Sequence, residues 1–164
     1  MPSQSSMLRL LWVSVAVIAL DQLTKVWASS ALDYAVPLVI TPFFNINLAH
    51  NLGAAFSFLD NAGGWQRWMF IGLAIAVSGL LTQWLRKTER HEKAQAYGLV
   101  LIIGGALGNA IDRIVYGHVV DFLQFHYAGH AFPTFNIADS AIFCGAVLLI
   151  WESFRAEQNK KVES

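Results

Sequence analysis

The chain has 164 residues, enough for one compact domain, and it is unusually apolar. Hydrophobic residues make up 55% of it and charged residues only 13%, about half the charged fraction usual in soluble domains. The formal net charge is zero, and without a basic patch we expect no nucleic-acid partner. The composition indicates a membrane protein.

The first apolar segment covers residues 10–28 and is interrupted only by Asp21 and Lys25. Arg9 before it and the small residues at its end also resemble a cleavable secretory signal. The two charges fit such a signal badly, and the apolar run is long. We therefore predict a retained membrane helix over residues 8–28.

The segment after the first helix has the pattern of a small sheet. Residues 43–51, FFNINLAHN, alternate asparagines with apolar residues, which is the period of a half-buried strand. Residues 53–59 form a second candidate extended segment, and the sequence DNAGG at 60–64 is typical of a turn. We expect a small extracytoplasmic β-sheet or loop element here.

Three further apolar runs follow. Residues 68–85 and 94–111 are uncharged, and at ~1.5 Å per residue each nearly crosses a ~30 Å hydrocarbon core. A shorter run at 140–151 contains the single cysteine, Cys144, which excludes a disulfide framework and is expected to be a small packing residue.

These runs predict a mostly α-helical fold, a single integral membrane domain over residues 1–164 with four transmembrane helices and two outer loops. The predicted spans cover residues 8–28, 67–86, 94–114 and 138–155, and the outer loops cover 29–66 and 115–137.

The positions of lysine and arginine predict the orientation, because short loops that hold them stay in the cytoplasm. Residues 31–66 and 114–138 contain neither. We therefore expect both termini in the cytoplasm and both outer loops on the opposite side. The basic residues that cluster between the second and third spans, or follow the fourth, are Arg86, Lys87, Arg90, Lys93, Arg155, Lys160 and Lys161.

Polar residues within the spans need an explanation, since a charge at mid-membrane costs roughly 2.5–3.5 kcal/mol on insertion scales. Asp21 and Lys25 are four residues apart and can pair on one helix face. Asp112 and Arg113 end the third span and can bind a neighbouring helix or loop. We favour structural roles for Asp21, Lys25 and Asp112.

The third span contains the sequence GGALGN, in which Gly104 and Gly108 have a GxxxG spacing that permits close helix approach. Asn109 follows directly. Its amide could hold a loop or a substrate backbone in that tight contact.

Asp121 and Asp139 flank the second outer loop, and neither has an obvious cation within four residues. Each has an ordinary interpretation: Asp121 as a solvated loop carboxylate, and Asp139 as a helix-capping residue. If the fold brings them together in a poorly hydrated site, they would share a proton, and one could act as base while the other acts as acid. Such a pair can activate water against an amide.

Other chemistries find less support. His126 and His130 are four residues apart, but a loop surface is the better interpretation than a metal site, and we expect no metal and no cofactor. Lys25 could activate Ser29, yet nothing marks that serine as a nucleophile. His50, His91 and His118 are isolated, and we assign them no role.

Five motifs in order resemble bacterial lipoprotein signal peptidase, also called signal peptidase II. The resemblance covers roughly residues 8–155. The motifs are DQLTK (21–25), NLGAAFSF (51–58), GGALGNAIDR (104–113), GHVVDF (117–122) and FNIADS (135–140).

The resemblance implies an intramembrane aspartyl endopeptidase that removes the signal peptide of diacylglyceryl-modified prolipoproteins, cutting before the lipobox cysteine. It implies that Asp121 and Asp139 are the catalytic pair. It also implies a bacterial inner-membrane location with the site near the outer face. The residues that would support the pair or bind the substrate backbone are Asn51, Gly53, Asn109, Arg113 and Asn136.

We expect prolipoprotein signal peptides and membrane lipids as partners, and a monomer. Two alternatives remain open from the residues themselves. A small four-helix transporter would have an essential carboxylate near mid-membrane and lack elaborate outer loops. A noncatalytic membrane scaffold would tolerate replacement of both aspartates.

Overall fold

The computed structural model describes residues 7–53 and 63–162. Four long helices and a four-stranded sheet make up the fold, and the first helix is preceded by a 3₁₀ turn at Met7–Leu10. The helices are α1 (Leu11–Ala31), α2 (Trp65–Lys87), α3 (Lys93–Val115) and α4 (Ile137–Val162), and the strands are β1 (Leu38–Thr41), β2 (Phe44–Asn51), β3 (Val119–Tyr127) and β4 (His130–Ala131).

All four helices are long and apolar enough to cross a membrane, which confirms the four predicted spans to within a few residues at most ends. The fourth helix differs most, because it continues to Val162 whereas the prediction ended at residue 155. Its membrane-compatible part is Ile137–Arg155. The added turns carry charged residues, which the apolar pattern could not include.

α3 is the central helix. It packs against α1, α2 and α4, and most of its membrane-compatible part is buried, whereas the other three helices are largely exposed. α1 is bound to it through a buried contact, in which the Ser14 hydroxyl donates to the carbonyl oxygen of Val100 at 2.7 Å. The described parts of α2 and α4 have almost no direct contact, so a gap separates them along one side of α3.

α3 and α4 approach each other closely through glycine. A Cβ built at Gly105 would overlap the carbonyl oxygen of Ala138, and one at Gly145 would lie 2.6 Å from the carbonyl oxygen of Gly98. Gly104 faces α1 instead, where a Cβ would lie 2.9 Å from the Cβ of Val17. The close approach that the GxxxG spacing predicted thus occurs against α1, whereas the contact of α3 with α4 depends on Gly98, Gly105 and Gly145.

The sheet has the order β1-β2-β3-β4, with antiparallel neighbours. The strand predicted at 43–51 is confirmed as β2, and the extended segment predicted at 53–59 lies, apart from Gly53, outside the described residues. The prediction placed the sheet after the first helix. Only β1 and β2 lie there, and β3 and β4 come from the loop predicted at 115–137. That loop contains β3, which pairs along β2 with Ala49 opposite Asp121.

The sheet closes the end of the helices where α1 and α3 finish and α2 and α4 begin. A small apolar core joins it to α1 and consists of Ala28, Leu48, Val120 and Phe122. The interior does not include Cys144, which is exposed on α4, so the expectation that it packs was wrong. Apolar composition alone could not distinguish the face of α4 that meets α3 from the face that meets lipid.

We predict that Gly105→Ala lowers the free energy of unfolding by about 1–3 kcal/mol, because the added methyl group forces α4 away from α3. Thermal unfolding of the purified protein in detergent measures this. Gly79→Ala in α2 is the matched control, since a Cβ there meets nothing within 4 Å, and it should be neutral or stabilising by up to about 1 kcal/mol. Equal melting temperatures for the two variants would contradict the close contact.

Candidate active site

Asp121 and Asp139 line one cavity of about 890 Å³ where the sheet meets the helices. Asp121 lies in β3 and is only 1% exposed. Side chains alternate along a strand, and Val120 and Phe122 on either side pack in the apolar core beside α1. Asp121 is therefore directed to the opposite face, toward the first turn of α4, which holds Asp139.

The chain before α4 is tied to β3 by its backbone. The Leu123 N–H donates to the Phe135 carbonyl oxygen and the Phe135 N–H donates back, each at 2.9 Å. Asn136 consequently lies beside Asp121, and its Nδ2 donates to Asp121 Oδ1 at 2.7 Å. Its backbone N–H donates to Asp139 Oδ2 at 3.2 Å. One asparagine thus holds both carboxylates on the same cavity.

The two oxygens of the Asp139 carboxylate accept hydrogen bonds from different partners. The Asp139 N–H donates to Asn136 Oδ1 at 2.9 Å, which together with the reverse bond to Oδ2 forms a reciprocal cap of the helix start. The other oxygen, Oδ1, accepts from Asn109 Nδ2 at 2.7 Å on the cavity wall. The capping interpretation of Asp139 is therefore correct for one oxygen, and the other is available to the cavity.

Asn51, Gly53 and Arg113 form the side of the site next to β2. Asn51 Nδ2 donates to Asp121 Oδ2 at 3.2 Å, and Asn51 Oδ1 accepts from the Gly53 N–H at 3.0 Å. Arg113 Nη2 donates to the Gly53 carbonyl oxygen at 2.6 Å, while its guanidinium lies 4.8 Å from the centre of the Phe70 ring. Gly53 contributes through its backbone, and the structure brings it together with the other supporting residues.

Asp21, Lys25 and Asp112 lie behind this wall and are buried. The pairing expected between Asp21 and Lys25 forms at 2.8 Å, and Lys25 also lies 2.8 Å from Asp112 Oδ2. The other oxygen of Asp112 accepts from Gln22 Nε2 at 2.7 Å. These residues connect α1 to α3.

Several cavity residues were not found from the sequence. Phe70, Asn47 and Gln124 line the cavity from α2, β2 and β3, and no local signal distinguishes them from ordinary apolar or strand residues. The interpretation of His50 and His118 as isolated was wrong, since their rings stack 4.0 Å apart. Their contact depends on the pairing of β2 with β3, which links residues far apart in the chain.

Burial is the main reason that the pKa of Asp121 rises, from an ordinary 3.8 to about 7. The negative charge of Asp139 raises it further, and the hydrogen bond from Asn51 opposes the rise. At neutral pH Asp121 is therefore poised between its protonated and ionised forms. A neutral acid beside a second carboxylate is the arrangement needed for acid–base hydrolysis.

Comparison with known proteins identifies the family. The model of "Signal peptidase (SPase) II" matches residues 13–155. The lipoprotein signal peptidase of Pseudoalteromonas atlantica is 49% identical over 95% of this chain and 95% of its own length. That of Xylella fastidiosa is 52% identical over 89% of this chain and 88% of its own. The chain belongs to the signal peptidase II family.

A solved structure is also similar to this signal peptidase II. It is described as a bacterial membrane enzyme determined by the in meso method, and it superposes with a TM-score of 0.82 at 32% identity, covering 91% of this chain and 89% of that one. The helices and the small sheet therefore occur together in a known membrane enzyme.

Membership gives the activity at a coarse level. The protein is an aspartic-type signal peptidase II that removes signal peptides from prolipoproteins. It is a multi-pass protein of the inner membrane. The transporter and scaffold alternatives are not favoured, because relatives that cover nearly the whole chain are lipoprotein signal peptidases.

We predict that Asp121→Asn changes how stability depends on pH. The carboxyl has a folded pKa of about 7, above its ordinary 3.8, so its stabilising contribution is complete below pH 3.8 and is lost as the pH rises through 7. Wild type should lose up to about 1.4 kcal/mol per pH unit across this window relative to the variant, which cannot ionise.

Thermal unfolding of both proteins between pH 4 and pH 8.5 measures the difference. The melting temperature of the variant should rise relative to wild type as the pH increases. Parallel curves for the two proteins would show that Asp121 titrates normally.

Proposed function

We propose that Asp121 and Asp139 are the catalytic pair of this signal peptidase II, with Asp139 as the general base and Asp121 as the general acid. The main support for the proposal is that Asn136 hydrogen-bonds both carboxylates at the wall of one cavity. The raised pKa of Asp121, caused by burial and then by the charge of Asp139, supports the assignment of the acid.

In the proposed reaction, ionised Asp139 removes a proton from a water molecule as the water oxygen attacks the scissile carbonyl carbon. Protonated Asp121 donates its proton to the carbonyl oxygen, which gives a neutral tetrahedral diol. Asp139 then donates its new proton to the amide nitrogen, the C–N bond breaks, and Asp121 recovers a proton from the diol. The products are a carboxylic acid and an amine, and both carboxyls return to their starting states.

The shape of the cavity supports entry of the substrate from the side. Phe70 of α2 and Phe143 of α4 line it across the gap between those helices. Phe143 is 70% exposed on the lipid-facing surface, so the cavity wall is continuous with the surface that meets acyl chains. A substrate tied to the bilayer can therefore reach the carboxylates without leaving it.

This opening favours a substrate whose cysteine carries a diacylglyceryl group, with cleavage on the amino side of that cysteine. Each CH₂ of an acyl chain that stays in the apolar phase contributes ~0.8 kcal/mol. Acyl chains that remain along the exposed faces of α2 and α4 would hold the modified cysteine at the level of the cavity. Membrane lipids occupy the same surface when no substrate is present.

A helical signal peptide must be locally unwound before a peptide bond can reach both carboxylates, and unwound backbone needs hydrogen-bonding partners. Asn47 and Arg113 line the cavity. Their amide and guanidinium groups are of the kind that an extended substrate segment needs as hydrogen-bond partners.

We further propose that the active site lies at the outer face and that both termini are cytoplasmic. Arg86 and Lys87 lie in the last turn of α2, at the end of the helices opposite the sheet. Basic loops are retained in the cytoplasm. Both carboxylates come from one chain, so one integral membrane domain, acting as a monomer, contains the complete pair.

We predict that Asp121→Asn and Asp139→Asn each abolish cleavage of a diacylglyceryl-modified prolipoprotein peptide, because neither amide can exchange a proton with water. The rate of product formation by purified enzyme in detergent micelles is the measurement, with a fall of at least about 10⁴-fold expected when the pair is broken. Both variants should remain folded at neutral pH and show a cooperative thermal unfolding transition.

Asp33→Asn is the matched control, since Asp33 is exposed beyond the end of α1 and should leave cleavage unchanged. An unmodified peptide of the same sequence tests the lipid requirement and should be cleaved poorly. Appreciable turnover by either catalytic-pair variant would overturn the assignment.

We predict that a cysteine at position 127, in a Cys144→Ala background, reacts with a membrane-impermeant maleimide added outside intact spheroplasts. Tyr127 is 81% exposed at the end of β3, on the side proposed to be outer. A cysteine replacing Glu89, in the exposed connection between α2 and α3, should react only after the membrane is permeabilised. The reverse labelling pattern would mean that the orientation is inverted.

A further inference from the structure

The Lys25 ammonium lies behind the cavity wall, where three oxygen acceptors surround it. It lies 2.8 Å from Asp21 Oδ2 and 2.8 Å from Asp112 Oδ2, and it donates to Asn109 Oδ1 at 2.9 Å. Its side chain is 3% exposed. Since an ammonium has three N–H donors, each one has an acceptor, and the position of the nitrogen is fixed by three separate parts of α1 and α3.

Each of the two carboxylates bound to Lys25 also accepts a backbone N–H next to a proposed catalytic residue. Asp21 Oδ1 accepts from the N–H of Ala138 at 2.9 Å, directly before Asp139. Asp112 Oδ2 accepts from the N–H of Val120 at 3.1 Å, directly before Asp121. The backbone at both proposed catalytic positions is therefore connected through one ammonium.

The third contact of Lys25 fixes the direction of the Asn109 amide. Asn109 Oδ1 accepts from both Lys25 and Asn136 Nδ2, the latter at 3.1 Å. Turning the amide over would place its NH₂ group against two donors, so this orientation is strongly disfavoured. Asn109 Nδ2 is consequently directed at Asp139 Oδ1, at 2.7 Å.

We propose that Lys25 is a positioning residue of the hydrolytic reaction, which sets the placement of both carboxylates through Asp21, Asp112 and Asn109 without touching the substrate. This inference rests on the proposed roles of Asp121 and Asp139. It goes beyond the structural role expected from the sequence, where the pairing of Lys25 with Asp21 required no link to the reacting groups.

A purely structural lysine and a positioning lysine differ in measurable ways. Loss of positioning lowers kcat and leaves KM nearly unchanged, because Lys25 lies behind the cavity wall. The charge of Lys25 also lowers the pKa of Asp121, against the burial and the charge of Asp139 that raise it. Removal of that charge should move the alkaline limb of the kcat profile, where Asp121 loses its proton, to higher pH.

The test compares Lys25→Met with the double variant Asp21→Asn, Lys25→Met. The double variant restores the formal charge of the cluster to that of wild type, and Asp112 still accepts from Gln22 Nε2 and the Val120 N–H. The new amide oxygen at position 21 can still accept from the Ala138 N–H. Kinetics with the diacylglyceryl-modified peptide should give a kcat about 100-fold below wild type, as expected for a small misplacement of reacting groups. KM should stay within about threefold, and the alkaline limb should move upward.

Lys93→Met is the matched control, because Lys93 is exposed at the start of α3 and the same chemical change should leave kcat and the pH profile as in wild type. Folding is followed by thermal unfolding and by gel filtration in detergent. Wild type and Asp121→Asn are measured in parallel. Failure of wild type to cleave, or cleavage by Asp121→Asn, contradicts the proposed function and not the role of Lys25 alone.

Three outcomes overturn the positioning role while leaving the proposed catalytic pair in place. The first is a folded variant whose kcat is within about threefold of wild type. The second is a fall in kcat that is matched by a rise in KM, with an unchanged pH profile. The third is failure of both the single and the double variant to fold, which makes Lys25 a stability residue.

Discussion

The fold depends on keeping carboxylates satisfied inside a protein that is mostly surrounded by lipid. Asp21, Asp112 and Asp121 are each at most 1% exposed, and a buried charge without partners is very unfavourable. The solution is a continuous polar network in which each carboxylate has donors from more than one element. Such a network is stable only when all its members are present, which explains why residues of α1, α3, β3 and α4 must meet at one level.

The sheet shields the buried carboxylates of this network from water. Helices alone would leave the ends of α1 and α3 open to water, and hydrated carboxylates would titrate with ordinary pKa values. Strands β2 and β3 cover one side of the pair, and their apolar face packs on the end of α1 through Leu48, Val120 and Phe122. Burial of Asp121, the main cause of its raised pKa, is thus a direct result of strand pairing.

The sequence was sufficient for features that depend on local composition or periodicity. Span positions follow from apolar runs, and β2 follows from the alternation around Asn45 and Asn47. The residues proposed for catalysis came from two aspartates that flank one loop and from the order of motifs that resemble a family. The geometry that joins Asp121 to Asp139 was not available in this way, because Asn136 connects them only after Phe135 has paired with Leu123.

The wrong predictions for the histidines and for Cys144 also concern contacts between elements that are distant in the chain. The stacking of His50 on His118 requires the register of two strands that are separated by α2 and α3 in the chain. The exposure of Cys144 depends on which face of α4 meets α3, and an evenly apolar helix does not indicate this. Local patterns define elements, whereas contacts between distant elements decide what each side chain does.

The gap between α2 and α4 has a consequence for any molecule that occupies the cavity. If the entrance faces acyl chains, as proposed, a molecule that enters the cavity dissolves in the bilayer first and reaches the enzyme by diffusion in two dimensions. Its effective concentration is then a mole fraction relative to phospholipid, and the amount in the surrounding buffer matters only through partitioning. Two compounds with equal contacts inside the cavity would differ in apparent potency whenever their solubilities in the membrane differ.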